Sequence, residues 1–192
     1  LRTINPLSFD QRHRIQTTID FRYGDGKDYN GPMLFGKPIL QRTGVNVVGI
    51  LGSGTPYSAS SRVINEGAGI GQHRLEGSVN GSRLPWQFTT DLQMDRDVPV
   101  TFGKKGEDKA KSTNLNVYLL VTNVFNTRNV TGVWRATGSP DDDGYLAAPD
   151  YQQEIALQTD SRSYQELYAL KVANPFNLGA PRTIRLGVRF DF

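Results

Sequence analysis

Cysteine is absent from the 192-residue sequence, which excludes disulfides and thiolate metal sites and argues against a small disulfide-stapled secreted module. Histidine is nearly absent as well. His13 and His73 are the only two, and they fall on different segments with no third ligand beside them, so the spacing points away from a metal centre. No stretch approaches the ~18 consecutive apolar residues of a membrane-spanning helix. That excludes a helical membrane protein but not a β-barrel, whose alternating strands look hydrophilic when averaged over a window. The apolar fraction is 37% and the mean hydropathy −0.47, lean for a protein with a thick interior. No block of one charge stands out: 22 basic and 19 acidic residues are scattered, net +3. The basic stripe with interleaved aromatics of a nucleic-acid binder is missing, so no nucleic-acid partner is expected.

What is present is turn chemistry and alternation. Twenty glycines and ten prolines signal many turns and loops. At the C-terminal end, Ile184, Leu186, Val188, Phe190 and Phe192 alternate with Thr183, Arg185, Gly187, Arg189 and Asp191 without an error, which predicts a half-buried strand. Three further segments repeat the pattern. Ile15, Thr17, Ile19, Phe21 and Tyr23 oppose Arg14, Gln16, Thr18, Asp20 and Arg22. Leu84, Trp86, Phe88, Leu92 and Met94 oppose Gln87, Thr89, Asp91, Gln93 and Asp95. Leu115, Val117, Leu119, Val121 and Phe125 share a face against Asn116 and Thr122. A fifth strand, about Val45 to Leu51, has ambiguous faces because Val47, Val48 and Ile50 are all apolar.

The predicted strands over 15–23, 84–94, 115–125 and 184–192 run nine or eleven residues. That is the length of a tilted transmembrane strand (~9–11 residues), whereas soluble strands cluster near ~5–6. None of the four apolar faces carries a charge, and one Arg or Lys facing mid-bilayer lipid would cost roughly 2–4 kcal/mol. With the C-terminus in the periplasm, Phe190, Phe192, Phe21 and Tyr23 form one aromatic girdle. Trp86, Phe88 and Phe125 form the other, at the outer end. The polar link 103–112 is then periplasmic, and 53–83 and 126–181 are extracellular loops; the link from Tyr23 to Gly44 is long for a periplasmic turn, and strand is expected near Pro38 to Leu40. One helix is expected in the second loop. Ser161 or Ser163 would cap it, Ser163 with Glu166 forming a capping box, Pro175 following it, and Tyr164, Leu167, Tyr168 and Leu170 to Val172 packing it down. Five strands cannot close a barrel, and open edges in lipid leave backbone groups unpaired at several kcal/mol each. With no Met at Leu1 and no signal-peptide pattern, the chain reads as a fragment. The rest of the barrel would come from the same polypeptide or a separate chain.

Several ordered motifs resemble the TonB-dependent outer-membrane receptors of Bacteroidetes. They are Leu7-Ser-Phe-Asp-Gln-Arg-His13, Ser53-Gly-Thr-Pro-Tyr-Ser58, Gly77-Ser-Val-Asn-Gly-Ser-Arg-Leu-Pro-Trp86 with Asp91-Leu-Gln-Met-Asp-Arg-Asp97, and Leu115-Asn-Val-Tyr-Leu-Leu-Val-Thr-Asn-Val-Phe-Asn126. Ala136-Thr-Gly-Ser-Pro-Asp-Asp-Asp-Gly-Tyr145 and Asn174-Pro-Phe-Asn-Leu-Gly-Ala-Pro-Arg182 resemble the Oar-like branch. The resemblance implies that residues 1–192 are the C-terminal part of an all-β membrane barrel of about 22 strands around a plug, with this chain supplying the last five antiparallel strands and no plug domain. It implies TonB-driven uptake of a substrate through a missing N-terminal TonB box, outer-membrane localisation, and no enzymatic activity. The implied partners are the remaining barrel and plug, outer-membrane lipid, the TonB system and a surface lipoprotein or complex partner. The terminal strand (Ile184, Leu186, Val188, Phe190, Phe192) looks like the signal read by the barrel-assembly machinery. Arg14, Arg22, Asp91, Arg185, Arg189 and Asp191 would face the lumen.

Other features read more plainly. Asp141, Asp142, Asp143 and Gly144 lack the alternate oxygen ligands and distal Glu of an EF-type loop, so an acidic solvated loop tip is favoured over a Ca²⁺ site. Gly67, Gly69 and Gly71 lack the strand-to-helix setting and following Lys of a phosphate loop. No cofactor or catalytic constellation is expected. The alternative to a transporter is an outer-membrane scaffold barrel that uses 126–181 to bind partners; a soluble carbohydrate-binding sandwich is the third reading.

Overall fold

The computed structural model describes residues 4–63, 74–102 and 111–191. The chain divides into two units. One comprises Ile15–Ile50, Phe88–Thr127 and Pro181–Phe192; the other comprises Leu1–Arg14, Leu51–Gln87 and Arg128–Ala180.

The first unit is a single open sheet. Its strands are β1 (Arg14–Arg22), β2 (Thr43–Gly52), β3 (Gln87–Phe102), β4 (Lys111–Thr122) and β5 (Thr183–Asp191). They lie antiparallel in sequence order, each paired with its neighbours in the chain, so the sheet is a pure up-and-down meander. β1 and β5 are its two edges, and no sheet closes into a barrel among the described residues. The expected alternation is present, with β-branched and aromatic residues suited to a pleated surface.

Register settles the faces. In β3–β4–β5, one side carries the rows Leu92–Val121–Ile184, Met94–Leu119–Leu186, Arg96–Val117–Val188 and Val98–Leu115–Phe190. The other carries Gln93–Leu120–Arg185, Asp95–Tyr118–Gly187 and Asp97–Asn116–Arg189. The Tyr23 amide donates to the Thr43 carbonyl, the Asp97 amide to the Arg42 carbonyl, and Asn46 to the Asp20 carboxylate at 3.1 Å. These bonds resolve the ambiguous β2: Thr43, Val45 and Val47 continue the apolar side, while Asn46, Val48 and Ile50 join the polar side.

Both ends of β3 and both ends of β4 differ from expectation. β3 starts at Gln87, because Leu84 is buried elsewhere, with its amide donating to the Thr55 carbonyl, and Pro85 intervenes. It then continues past Met94 to Phe102, sixteen residues in all, and this brings Arg96 onto a face expected to be free of charge. Pro99 is tolerated because the Asp97 amide points at Arg42 on the β2 side. Two residues on, Pro99 falls where β3 outruns the start of β2 and needs no donor. β4 begins earlier than expected, at Lys111, and ends at Thr122. Asn123 there takes positive φ (51°). Its side chain accepts from the Thr127 amide (2.9 Å) and donates to the Thr127 carbonyl (3.0 Å). Phe125 therefore lies in a turn. In the link after β1, a two-residue ladder pairs Met33–Leu34 with Lys37–Pro38, rather than a strand over Pro38 to Leu40.

The second unit holds the buried aromatic core. Tyr145, Ile155, Tyr168 and Val172 pack together, with Val63, Trp134, Leu146, Tyr151 and Tyr164 against them. Helices α1 (Gln152–Ala156) and α2 (Ser161–Val172) supply much of it. Two helices thus stand where one was expected, and neither serine caps α2. Asp160 does so, its carboxylate accepting from the Arg162 and Ser163 amides at 3.1 and 3.0 Å. The expected Ser163–Glu166 capping box gives way to an Arg162–Glu166 ion pair one turn apart. Tyr168 and Val172, with Tyr164 against them, pack α2 down, whereas Leu167 and Leu170 are exposed, contrary to expectation.

Three of the motifs quoted above meet in this unit. Gln11 donates to the Ser53 carbonyl and Ser53 Oγ accepts from the His13 amide, both at 3.0 Å. The Arg83 guanidinium donates to the carbonyls of Asp10 (3.2 Å) and Gly54 (3.3 Å) and pairs with the Asp10 carboxylate. Gly54 can only be glycine, since a Cβ there would lie 1.8 Å from the Leu84 carbonyl oxygen.

Candidate functional site

The site is the sheet itself, and its two faces differ in chemistry. On the apolar face Ile15, Ile19, Phe21, Ile184, Leu186, Val188 and Phe190 all project outward, Ile19 at 60% exposure and Leu186 at 75%. Every buried hydrophobic side chain among the described residues (Leu84, Tyr145, Ile155, Tyr168, Val172) belongs to the other unit. The sheet therefore has no core of its own. Each large apolar side chain left in water forgoes ~1.5–3 kcal/mol of burial, so the face requires a cover of apolar character.

Aromatics stand at both ends of that face. Phe21 meets Tyr23 edge to face with centroids 4.7 Å apart, and Phe88 stacks near Phe125 at 5.9 Å. Trp86, expected in the same girdle as Phe88, stacks on His13 with ring centroids 6.0 Å apart. Arg96 is the one charge on the face among the described side chains. It sits beside Val117 in register with Val188, one row short of Phe190.

The polar face is organised by one cross-strand row: Arg22, Gly44, Asp95, Tyr118 and Gly187. The Arg22 guanidinium spans Gly44 and meets the Asp95 carboxylate in a two-pronged contact, 3.1 Å at each prong. A Cβ on Gly44 would lie 2.6 Å from the guanidinium and 2.8 Å from the carboxylate. The same device recurs at the far side, where a Cβ on Gly187 would lie 2.3 Å from the Tyr118 ring. Large side chains thus lie flat over glycines, which shields the backbone and pins the register. One row further, Asn116 donates to Asp97 at 2.6 Å.

Of the residues expected on this face, Arg22 is paired. Asp91 accepts from the Asn123 amide at 2.9 Å, a bond that anchors the turn after β4. Arg14, Arg185 and Arg189 are exposed, and Asp191 occupies the β5 position facing Asn114. Ile184, Leu186, Val188 and Phe190 share the apolar face of the edge strand, while Phe192 lies outside the described residues. Asp95 and Asn116 stand on the side the alternation predicts, while their pairing, and the places of Asp97 and Tyr118 beside them, are what sequence reading missed. For Asp97 a signal exists, because the alternation runs on through Val98 and Val100.

Beyond the sheet, the acidic tip is not uniformly solvated. Asp143 is buried and accepts from the Tyr168 hydroxyl (2.5 Å) and the Tyr145 amide (3.0 Å), so it serves the aromatic core. Asp142 accepts from the Gly144 amide and Asp141 from the Ser139 hydroxyl. No group of three potential metal ligands occurs among the described residues. His73, Gly67, Gly69 and Gly71 lie outside them. In the link after β1, the Arg42 guanidinium beside Asp25 holds that carboxyl below its ordinary range. Among the described residues no helix is long and apolar enough to cross a membrane. No family model, curated protein or solved structure matches the chain.

Proposed function

We propose that the chain is part of the wall of an outer-membrane β-barrel that admits a substrate across the outer membrane, the C-terminal part of a TonB-dependent receptor. The observation that carries the reading is the uncovered apolar face of a meander sheet that lacks any core of its own. Lipid hydrocarbon satisfies such a face, and a closed barrel is the one strand arrangement that lipid permits. Aromatic pairs at both ends of the face match the interfacial girdles of such barrels. The opposite face, with its Arg22–Asp95 pair, Asn116–Asp97 bond and exposed arginines, has the polar character of a lumen wall.

The substrate route would run past the polar face, and no catalytic role is assigned to it. A scaffold function has one observation in its favour. Leu157, Leu170 and Phe176 stand 81%, 74% and 88% exposed on the connection between β4 and β5, a surface suited to a protein partner.

The test is extraction and energetics together. A barrel wall requires detergent for extraction and migrates differently on electrophoresis before and after boiling. Transport predicts that uptake by cells stops when the inner-membrane motor is inactivated; a scaffold predicts no dependence on it. Recovery as a folded species without detergent refutes both.

A further inference from the structure

We infer that Arg96 anchors a phospholipid of the periplasmic leaflet, its guanidinium holding the phosphate while the recess beside it takes the head of an acyl chain. The inference rests on the barrel reading above and adds to it a specific lipid site.

Three observations meet at this point. The first is the charge itself. Arg96 lies on the apolar face between Thr43 and Val117, on β3 where it passes β2 and β4. It has no ion-pair partner among the described residues. The nearby carboxylates are engaged: Asp25 by Arg42 and Gln41, Asp97 by Asn116 from the opposite face. A guanidinium facing hydrocarbon is costly unless it reaches an anion, and its long stem lets it reach toward the interface.

The second is a recess of about 390 Å³ on this side of the sheet, lined by Leu40, Thr43, Met94, Arg96, Val117 and Leu119 among others. Apart from Arg96 and Thr43, and from Asp95 and Tyr118, whose register places them in the row of the opposite face with Asp95 paired to Arg22, the residues lining it are apolar, the pairing of one charged and one oily requirement that a phospholipid presents. The third is Thr43. Its hydroxyl is buried and has no hydrogen-bond partner, although buried hydroxyls normally find one. That hydroxyl is closed off in the structure, so a phosphate or glycerol ester oxygen seated on Arg96 becomes its acceptor once the atoms covering it move aside.

Position within the leaflet agrees. Arg96 is in register with Val188, one row from Phe190, so it sits just inside the aromatic level, where a headgroup phosphate is within the span of an arginine side chain. Among anions at that level, phospholipid phosphate is the one that also brings a chain for the recess.

The experiment uses the whole native protein, purified from membranes in mild detergent. Phospholipid retained per folded protein is quantified by solvent extraction and mass spectrometry, folding being checked by the heat-dependent shift in electrophoretic mobility. Arg96→Gln is expected to lower the tightly retained phospholipid about fivefold, Arg96→Lys to keep most of it, and Thr43→Val to weaken retention while leaving the charge in place. Equal retention by folded wild-type protein and folded Arg96→Gln overturns the lipid site and leaves the barrel intact. Failure of the wild-type protein to float with phosphatidylcholine–phosphatidylglycerol vesicles overturns the barrel reading, and the site with it.

Discussion

Replacing Leu119 with arginine puts a charge at the centre of the apolar face, between Met94 on β3 and Leu186 on β5. If that face meets lipid near the bilayer midplane, the substitution costs ~2–4 kcal/mol. Its chain neighbour Leu120 points the other way, into the row with Gln93 and Arg185. Leu120→Arg should cost only ~0.2–1 kcal/mol, mostly from facing Arg185. A third variant adds depth. Val98 stands four residues along β3 from Met94, roughly 13 Å of strand, which a ~45° tilt reduces to about 9 Å along the bilayer normal. Val98→Arg should therefore approach the interfacial cost of ~0–1 kcal/mol. The assay is reversible guanidinium unfolding of the whole protein from phosphatidylcholine vesicles, comparing midpoints at constant slope. Equal penalties for Leu119→Arg and Leu120→Arg would refute the assignment of faces. A large penalty at Val98 equal to that at Leu119 would refute the membrane, because a soluble core does not grade with depth.

Gly44→Ala should displace the Arg22–Asp95 pair, with a modest loss of ~0.2–1 kcal/mol; double-mutant cycles on Arg22 and Asp95 should show coupling in the native background and none once Gly44→Ala is present. Asp143→Ala strips the Tyr168 hydroxyl and Tyr145 amide of a buried acceptor, at ~1–3 kcal/mol for each group left unsatisfied. Limited proteolysis should then cut within 145–172 sooner than in the wild-type protein, and unchanged cleavage would count against the role given to Asp143. Asp25 has its carboxyl depressed by Arg42, so its contribution is present above the ordinary carboxylate pKa and is lost only as pH falls through the lower folded value. Hydrogen exchange across 24–42 should stay protected at about pH 4, near the ordinary carboxylate value, and open below that; Asp25→Asn should abolish the acid transition.

The strands are legible wherever alternation is local. Residues 184–192 declare both their state and their faces, because each odd position is polar or glycine and each even one apolar. β2 declares only its state. Its faces depend on Asn46 meeting Asp20 and on Arg22 reaching Asp95 over Gly44, pairings 26 and 73 residues apart in the chain that no local pattern contains. Leu84 shows the opposite failure. Its parity fits β3, yet its amide and side chain belong to the folded connection, and Pro85 is the signal. Arg96 stays hidden when the alternation is cut at Met94, because the charged run Asp95-Arg96-Asp97 disguises a strand that continues. Asp143 reads as solvated from its acidic neighbours, but burial depends on Tyr168, which arrives on a helix 25 residues later. Asp160 displaces two serines as the cap of α2, a choice made by where the chain turns rather than by residue type, since all are good caps.

The meander order has a consequence of parity. With five strands alternating in direction, β1 and β5 point the same way. A ring built only from copies of this sheet, all inserted the same way up, would bring β5 of one copy against β1 of the next in parallel. Such a ring cannot be antiparallel throughout. An all-antiparallel closure therefore needs an odd number of further strands between these two edges, bringing the total to an even count. The sheet thereby selects against its own copies as neighbours, by strand direction alone and before any side chain is consulted.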